Sequence, residues 1–495
     1  MKNQGLRIIG MFTAIVLTGG AAVAQDASVT ARLQRQLQQA EQQYSLSINP
    51  QLQIGERAMI DYGGLIGFGF LSVDDSLGRN HVLRQTDGQL YGYLNIDGGV
   101  HEAFGRLRFT YQDFNSGDSF RGDGDRLVNP LSDRYWYKFD LRRAVEAYHG
   151  EHLANNLWLR VGRQYIEWGS GLTFSDQLYA ADINIEINRM FNIRALIGTT
   201  PESSVIDFDS SRPSFDGETN RLFLGGQITM TTFDDHQPYF FVLRQWDNNQ
   251  ENTTPDALNG SLFPTTAPTR FFYESTYWGI GSNGKILPNL SYQVEGVWES
   301  GRSLSNSYDP VAGPLTQTEE SVAAWAARAK LTWNFFDENL SRIEFETLLA
   351  SGDGDRQTST TNTLGGNQSG TKDHAFNGFG YINTGMAYAA PMSNLMMFRL
   401  GASTFPLRST GVQWFRRLQV GTDLFMFNKL RDNAPINEAS THDGLVGFEP
   451  DVYLNWRFTS DVALIVRYGA FLPGDAISGD SAARHFFYSG LTYSF

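Results

Sequence analysis

The sequence predicts an all-β fold, namely a transmembrane antiparallel β-barrel with a short N-terminal helical segment. Three observations carry this prediction. Segments of about ten residues alternate between apolar and polar side chains along most of the chain, as lipid-facing and lumen-facing positions do in membrane barrels. The connections between these segments are alternately short and long. The last segment carries an apolar or aromatic side chain at most alternate positions and ends on Phe495.

Composition supports a membrane barrel and excludes several other classes. The 495 residues include 35 Phe, 21 Tyr and 10 Trp, yet the mean hydropathy is only −0.32, because lipid-facing and water-facing residues alternate in a barrel. The absence of Cys excludes disulfide frameworks, thiolate zinc sites and cysteine nucleophiles. A formal net charge of −14 repels phosphate, so no nucleic-acid partner is expected.

The N-terminus has the three regions of a secretory signal peptide. Lys2 and Arg7 precede an apolar run over residues 8–16, and small side chains at residues 22–24 supply a cleavage site. The apolar run is too short to span a membrane as a helix. We therefore expect a signal peptide over 1–24, a periplasmic segment over 25–50 and the outer-membrane barrel over 51–495.

The segment after the signal peptide carries apolar side chains at helical spacing, at Val29, Leu33, Leu37, Ala40 and Tyr44. This spacing predicts a short amphipathic helix. Two roles stay open for it, a coiled coil that trimerises the protein or a surface helix in front of the barrel.

Alternation and turn chemistry predict about 18 strands, an even number as single-chain bacterial barrels require. They are expected near residues 54–72, 86–97, 101–114, 132–146, 155–168, 178–188, 189–200, 219–232, 236–247, 270–283, 289–301, 321–335, 340–351, 395–406, 415–429, 447–459, 461–472 and 484–495.

The connections set the orientation of the barrel. One side has short turns, such as 98–100 and 233–235, and the other has long polar loops, of which 352–394 is the longest. Short periplasmic turns opposite long extracellular loops are typical of outer-membrane barrels. The loop 352–394 contains an apolar stretch over 379–390, which we interpret as folded into the lumen; an additional strand is the alternative.

A barrel of this size is wide enough for an aqueous channel. Residues opposite the apolar face of each strand point inward, and the inward basic residues outnumber the inward acidic ones, which favours anions. Pairing of these charges across neighbouring strands is the competing interpretation. The basic residues expected along the substrate path are Arg106, Arg108, Arg134, Lys138, Arg142, Arg160, Arg244, Arg328, Lys330, Arg399, Arg417, Arg457 and Arg467.

Aromatic residues are also expected inside the barrel. Sugar rings can stack on aromatic faces while neighbouring cations pair with sugar carboxylates; packing around a constriction is the alternative. The inward aromatic residues predicted by parity are Tyr91, Tyr93, Trp136, Trp246, Tyr453 and Phe471.

Three short motifs carry a family resemblance. The run LWLRVGRQ at 157–164, ASGDGD at 350–355 and the aromatic-rich FNGFGY at 376–381 resemble the alginate export family of outer-membrane porins. The resemblance implies an 18-stranded barrel that exports an anionic uronate polysaccharide or takes up related oligomers. Arg163 falls off the inward parity, which implies either a bulge or an interfacial position. The residues that match the motifs are Arg160, Arg163, Gln164, Asp353 and Asp355.

Enzymatic motifs are absent from the sequence: there is no Gly-x-Ser-x-Gly, P-loop or dinucleotide fingerprint. No cofactor is therefore expected. The Gly-Asp runs could hold Ca²⁺ through carboxylate oxygens, although such runs are also common in turns. The weak candidate ligands in these runs are Asp123, Asp125, Asp353 and Asp355.

The leading functional hypothesis is a passive channel for acidic saccharides, with outer-membrane lipid, the barrel assembly machinery and periplasmic export proteins as partners. A general anion-selective porin is the first alternative. A loop-based adhesin or receptor, which would conduct no ions, is the second.

Overall fold

Eighteen antiparallel strands close into one barrel in the computed structural model. The structure describes residues 58–495 except 119–123, 129–131, 202–205, 213–214, 216–218, 250–251, 254–267 and 480. The predictions for residues 1–24 and 25–50, and for Asp123, lie outside the described residues.

The barrel strands follow one another around the wall in chain order. They are β1 (Met59–Asp74), β2 (Asn80–Ile96), β3 (His101–Phe114), β4 (Ser132–Asp140), β5 (Asn156–Trp168), β6 (Phe174–Ile187), β7 (Phe191–Thr199), β8 (Arg221–Met230), β9 (His236–Asp247), β10 (Tyr273–Leu287), β11 (Leu290–Leu304), β12 (Glu319–Asn334), β13 (Arg342–Ala350), β14 (Leu395–Thr404), β15 (Leu418–Asn428), β16 (Leu445–Arg457), β17 (Val462–Pro473) and β18 (Arg484–Ser494).

The barrel closes by pairing its first strand with its last. β1 and β18 are antiparallel, with Leu65 opposite Ser494. Beyond that register, Gly64 and Phe495 exchange two backbone hydrogen bonds of 2.9 and 3.0 Å. Closure gives backbone N–H and C=O groups partners within the wall, which a bilayer core requires.

The predicted strands and the alternation of turns and loops are confirmed. All 18 predicted segments overlap observed strands. The lipid-facing side chains are also visible on β3, where the exposed Leu107 and Phe109 alternate with the buried Arg106 and Arg108. Among the described residues, no helix is long and apolar enough to cross a membrane.

Two of the predicted strand segments include residues that are helical in the structure. The segment 132–146 leaves the sheet at Asp140, whose carboxylate accepts a hydrogen bond of 3.1 Å from the backbone N–H of Arg143 and caps helix α1 (Leu141–His149). The segment 415–429 begins its strand only at Leu418, since Phe415–Arg417 form a 3₁₀ turn.

The long connection between β13 and β14, residues 351–394, folds into the barrel and is called the infolded loop below. Its residues from 379 to 390 form no barrel strand, and Phe379, Met386, Tyr388 and Ala390 are buried. The interpretation of this stretch as an infolded segment is therefore confirmed. Its apolar side chains pack on inward-facing wall residues instead of remaining in water.

Candidate functional site

The lumen contains most of the cations predicted to line it. They alternate along their strands with exposed, lipid-facing side chains, which places them on the inner face. The predicted cations with this orientation are Arg106, Arg108, Arg134, Lys138, Arg160, Arg328, Lys330, Arg399, Arg457 and Arg467.

Arg244 and Trp246 were expected inside the barrel, and the structure places them on its outer face. On β9 the side chains of Phe241, Leu243 and Gln245 are fully buried, whereas Phe240 is 47% exposed. Arg244 donates to Glu274 at 2.9 Å and lies 5.4 Å from the Trp246 ring centroid. Both expectations were wrong because the inner face of β9 is apolar where it packs on lumenal segments.

Arg142 and Arg417 also lie outside the strands that were expected to carry them. Arg142 is on helix α1, from which its guanidinium reaches Glu186 at 2.8 Å. Arg417 is exposed in the connection before β15. Neither residue follows strand alternation, because the chain leaves the sheet at Asp140 and enters it again only at Leu418.

Many of the inward cations form ion pairs with carboxylates on the wall. Arg399 contacts Glu344 at 3.1 Å, Glu346 at 2.8 Å and Asp423 at 2.8 Å. Arg328 joins the same group through Glu346 at 2.6 Å. Such pairing neutralises charge locally, so the excess of inward basic residues overstates the field available to a substrate.

The same pairing recurs on the opposite part of the wall. Arg106 contacts Asp133 at 2.7 Å, and Arg108 contacts Asp87 at 3.1 Å. All four side chains are almost completely buried, so these arginines support the wall more than they face a passing solute. Further pairs along this arc include Lys138–Glu102, Arg160–Asp182 and Arg194–Asp182.

A carboxylate of the wall fixes the infolded loop. Glu449 on β16 accepts hydrogen bonds from the backbone N–H groups of Met386, Ala387 and Tyr388, the last two at 2.7 and 2.8 Å. Tyr388 then stacks on the inward Phe471 with ring centroids 4.4 Å apart. Phe471 is therefore part of the packing around the loop.

A second anchor lies on β11. Glu299 accepts hydrogen bonds from the Asn377 backbone N–H at 3.0 Å and from the Tyr273 hydroxyl at 2.6 Å. The Tyr277 hydroxyl donates to the Asn377 carbonyl. The infolded loop is thus held at two distant points of the wall.

A short extracellular connection, residues 169–173, also enters the lumen. Its Ser170 donates to Glu295 on β11 through both the backbone N–H (2.6 Å) and the hydroxyl (3.0 Å). The Phe379 backbone N–H donates to the Thr173 carbonyl at 2.9 Å. The connection and the infolded loop therefore form one constriction across the barrel.

Buried charge pairs and aromatic rings stabilise this constriction. Phe379 packs against Phe208 and Phe223, with centroids 5.2 and 5.4 Å away. The guanidinium of Arg221 lies 5.0 Å from the Phe379 ring and pairs with Asp207 at 3.0 Å. Removing either partner of a buried ion pair leaves the other charge uncompensated, which strongly destabilises the protein. The cation–π contact with Phe379 adds to the stabilisation of Arg221.

The periplasmic half of the lumen has a different character. Inward rings there are partly exposed: Trp136 lies 5.8 Å from Phe104 and 6.4 Å from Tyr93. The guanidinium of Arg160 lies 5.7 Å from the Trp136 centroid and 5.8 Å from that of Trp158. We call the set Tyr91, Tyr93, Phe104, Trp136, Lys138, Trp158 and Arg160 the aromatic–cationic wall.

Phe104 and Trp158 were missing from the inward aromatic residues expected from the sequence. Strand alternation could have predicted their inward orientation, because Phe104 precedes Arg106 by two positions and Trp158 precedes Arg160 by two positions. Tyr453 has the inward parity that was expected.

The motif residues occupy two regions. On β5, Gly162 takes a φ of 138°, and Arg163 beside it is buried and donates to Gln177 at 3.2 Å. The side-chain amide of Gln164 donates to the Ala180 carbonyl at 3.0 Å. Both side chains are engaged with the wall itself.

Two of the calcium candidates that the structure describes, Asp353 and Asp125, accept hydrogen bonds from backbone N–H groups. Asp353 accepts from the backbone N–H groups of Asp355 and His374 at 2.9 and 2.8 Å, and Asp125 accepts from that of Phe114 at 2.9 Å. Within the described ranges, no cluster of three or more His, Asp or Glu side chains is arranged to hold a metal ion.

The comparisons with known proteins agree with this architecture. A model of the alginate export family matches residues 73–488. OccK8 (OprE) of Pseudomonas aeruginosa superposes with a TM-score of 0.51 at 9% identity, covering 88% of this chain and 98% of that chain. OccAB1 of Acinetobacter baumannii gives a TM-score of 0.49 at 11% identity, with coverages of 88% and 96%.

No curated protein gives a significant match to the sequence. At an identity this low, the likeness to OccK8 shows the fold alone. The family match extends over most of the chain, including the motif-bearing strand β5 and the infolded loop. The chain therefore belongs to the alginate export family and is a β-barrel channel of the Gram-negative outer membrane.

Proposed function

We propose that this channel passes acidic saccharides, alginate-like polysaccharides or their oligomers, along the aromatic–cationic wall. One observation carries the proposal: Arg160 lies within 6 Å of the Trp136 and Trp158 rings on the inner face. An aromatic face binds the C–H face of a sugar ring, and a neighbouring guanidinium pairs with its carboxylate. A uronate offers both groups on every residue.

Partial exposure makes these groups available to a solute. The side chains of Arg160 and Lys138 are 27% and 22% exposed, whereas those of Arg106 and Arg108 are 4% and 7% exposed. Arg160 shares its partner Asp182 with Arg194, so Arg194 can keep that carboxylate paired when Arg160 turns to a substrate.

A general anion-selective porin is the second candidate, favoured by the extensive pairing of lumenal charges. Planar-bilayer recordings distinguish the two. For an acidic-saccharide channel, we expect oligouronates to block the current in a length-dependent manner, while neutral oligosaccharides of equal length block much less. Equal block by both, or selectivity for small anions without oligouronate block, would support the general porin.

The chain supplies a matched control for this experiment. Arg160→Gln combined with Trp136→Ala removes the lumenal cation–ring pair, and Arg244→Gln combined with Trp246→Ala removes a similar pair on the outer face. Only the lumenal double variant should weaken oligouronate block, by roughly tenfold or more for the loss of a charge-assisted hydrogen bond and a stacking face. Equal effects of both would contradict the proposal.

A further inference from the structure

The periplasmic connection 405–417 has an unusual charge for this acidic chain. It carries Arg408, Arg416 and Arg417 and no Asp or Glu. All three side chains are exposed, and none is in an ion pair within the part of the chain that the structure describes. The turns 97–100, 231–235, 335–341 and 458–461 on the same side each carry at least one carboxylate.

This connection packs on the lipid-facing side of the barrel. The Trp456 indole N–H on β16 donates to the Trp414 carbonyl at 2.8 Å, and the Phe415 ring stacks on Trp456 at 5.2 Å. Trp456 has the same strand parity as the exposed Val452, so it faces the membrane. Tryptophan is enriched at the level of lipid headgroups in membrane proteins.

An apolar groove lies beside this connection on the outer wall. Small side chains on the strands that the connection joins, Ala402 and Thr404 on β14 and Val420 and Thr422 on β15, form its floor. The groove is open to the surroundings of the barrel, has a volume of about 640 Å³ and extends to Tyr468 on β17. Thr404 and Val420 are paired directly at its periplasmic end, next to the basic connection.

We propose that this groove and the arginines beside it bind an anionic phospholipid of the periplasmic leaflet. The acyl chain would lie over the small side chains, and the phosphate would be held by Arg408, Arg416 and Arg417. Basic clusters next to a membrane bind anionic headgroups electrostatically, and guanidinium groups bind phosphate with paired hydrogen bonds. The positive charge of the connection selects an anionic lipid over a second copy of this acidic protein.

Native mass spectrometry of the full chain in detergent tests the proposal with phosphatidylglycerol and phosphatidylcholine of identical acyl chains. We expect preferential retention of phosphatidylglycerol. Arg416→Gln combined with Arg417→Gln should lower it roughly 30-fold, as expected for two interfacial arginines. The control, Arg189→Gln combined with Lys285→Gln, removes two exposed charges on the same side, one in the turn 188–190 and one at the periplasmic end of β10, and should leave retention unchanged.

A second pair of variants tests the groove without changing charge. Ala402→Phe fills the floor and should reduce lipid retention, whereas Ala327→Phe on the outer face of β12 should not. Equal retention in all variants, or equal binding of both lipids, would overturn the proposal. If Ala402→Phe instead dissociated an oligomer without affecting lipid, the groove would be a contact between copies of the chain.

Discussion

The carboxylate of Glu449 on β16 accepts a hydrogen bond of 2.8 Å from the backbone N–H of Tyr388 in the infolded loop, 61 positions earlier in the chain. The same carboxylate serves the two preceding N–H groups, so three consecutive donors surround one charge. Successive backbone N–H groups of this kind form a concave anion site. Glu449 therefore fixes residues 386–388, which are called the tip of the infolded loop below.

Replacing Glu449 with alanine should loosen the infolded loop without dissolving the barrel. Each N–H group left buried without an acceptor costs about 1–3 kcal/mol, which favours displacement of the tip from the wall. Single-channel recordings should then show larger and noisier conductance. As a control, Glu338→Ala in an exposed periplasmic turn should leave the conductance unchanged. If the Glu449→Ala variant shows the same conductance and the same current noise as the wild type, the anchoring role is contradicted.

Shortening the infolded loop should enlarge the pore more strongly. The backbone N–H groups of Phe376 and Asn394 both donate to the Ser351 carbonyl, at 3.0 and 3.1 Å, so the chain at these two positions is already close together. Replacing residues 377–393 with two glycines should therefore preserve the strands and raise conductance severalfold. Unchanged conductance in a correctly inserted variant would show that this segment does not limit the pore.

Replacing Arg399 with glutamine should destabilise the wall. The change leaves Glu344, Glu346 and Asp423 without their shared cation, and breaking a buried ion pair from one side costs about 3–5 kcal/mol. We expect unfolding at lower temperature in a gel-shift assay of heat-modifiability. Adding Asp423→Asn should recover part of the loss, because a neutral amide needs no counter-charge and Asp423, unlike Glu346, is not the partner of Arg328; additivity of the two losses would argue against coupling.

Phe495→Ala should affect assembly in cells more than intrinsic stability. The Phe495 side chain is 57% exposed on the lipid side, and its backbone hydrogen bonds to Gly64 do not need the ring. The variant should refold into detergent in vitro and show reduced abundance in the outer-membrane fraction by immunoblot. If the Phe495→Ala variant accumulated normally in the outer membrane of cells, recognition of this aromatic residue during assembly would be contradicted.

The strand number and the sidedness of the loops were predictable from the sequence, because alternation and connection length are local properties of the chain. The exposed Leu107 and Phe109, which alternate with the buried Arg106 and Arg108 on β3, illustrate this. Over residues 106–109 each apolar side chain faces lipid and each arginine faces the lumen, so parity alone gives the orientation there.

Parity fails where the lumen is itself apolar. On β9 the inward Phe241 and Leu243 pack on lumenal segments, while Arg244 and Glu274 pair on the outer face. The sequence of β9 shows apolar residues at both parities, and only the packing of the interior decides between them. The anchoring role of Glu449 could not be predicted from strand alternation either, because its hydrogen-bond partners lie in a loop about 60 positions earlier in the chain.

Helix α1 is flanked by capping residues that are recognisable in the sequence. Asp140 is a good N-cap residue, and Gly150 ends the helix with a φ of 70°. A polar residue before a helix-favouring segment and a glycine after it together predict such a helix. The ion-pair partners of the lumenal arginines, by contrast, depend on strand register, which composition does not reveal.

Pairing of β1 with β18 has a consequence for biogenesis. The seam joins residues separated by almost the whole chain, so it can form only after the final strand has been exported. Until then both terminal strands present unpaired backbone edges, which can bind other chains. The nascent protein therefore depends on protection of these edges during its passage through the periplasm, and closing the seam is the step that ends this dependence.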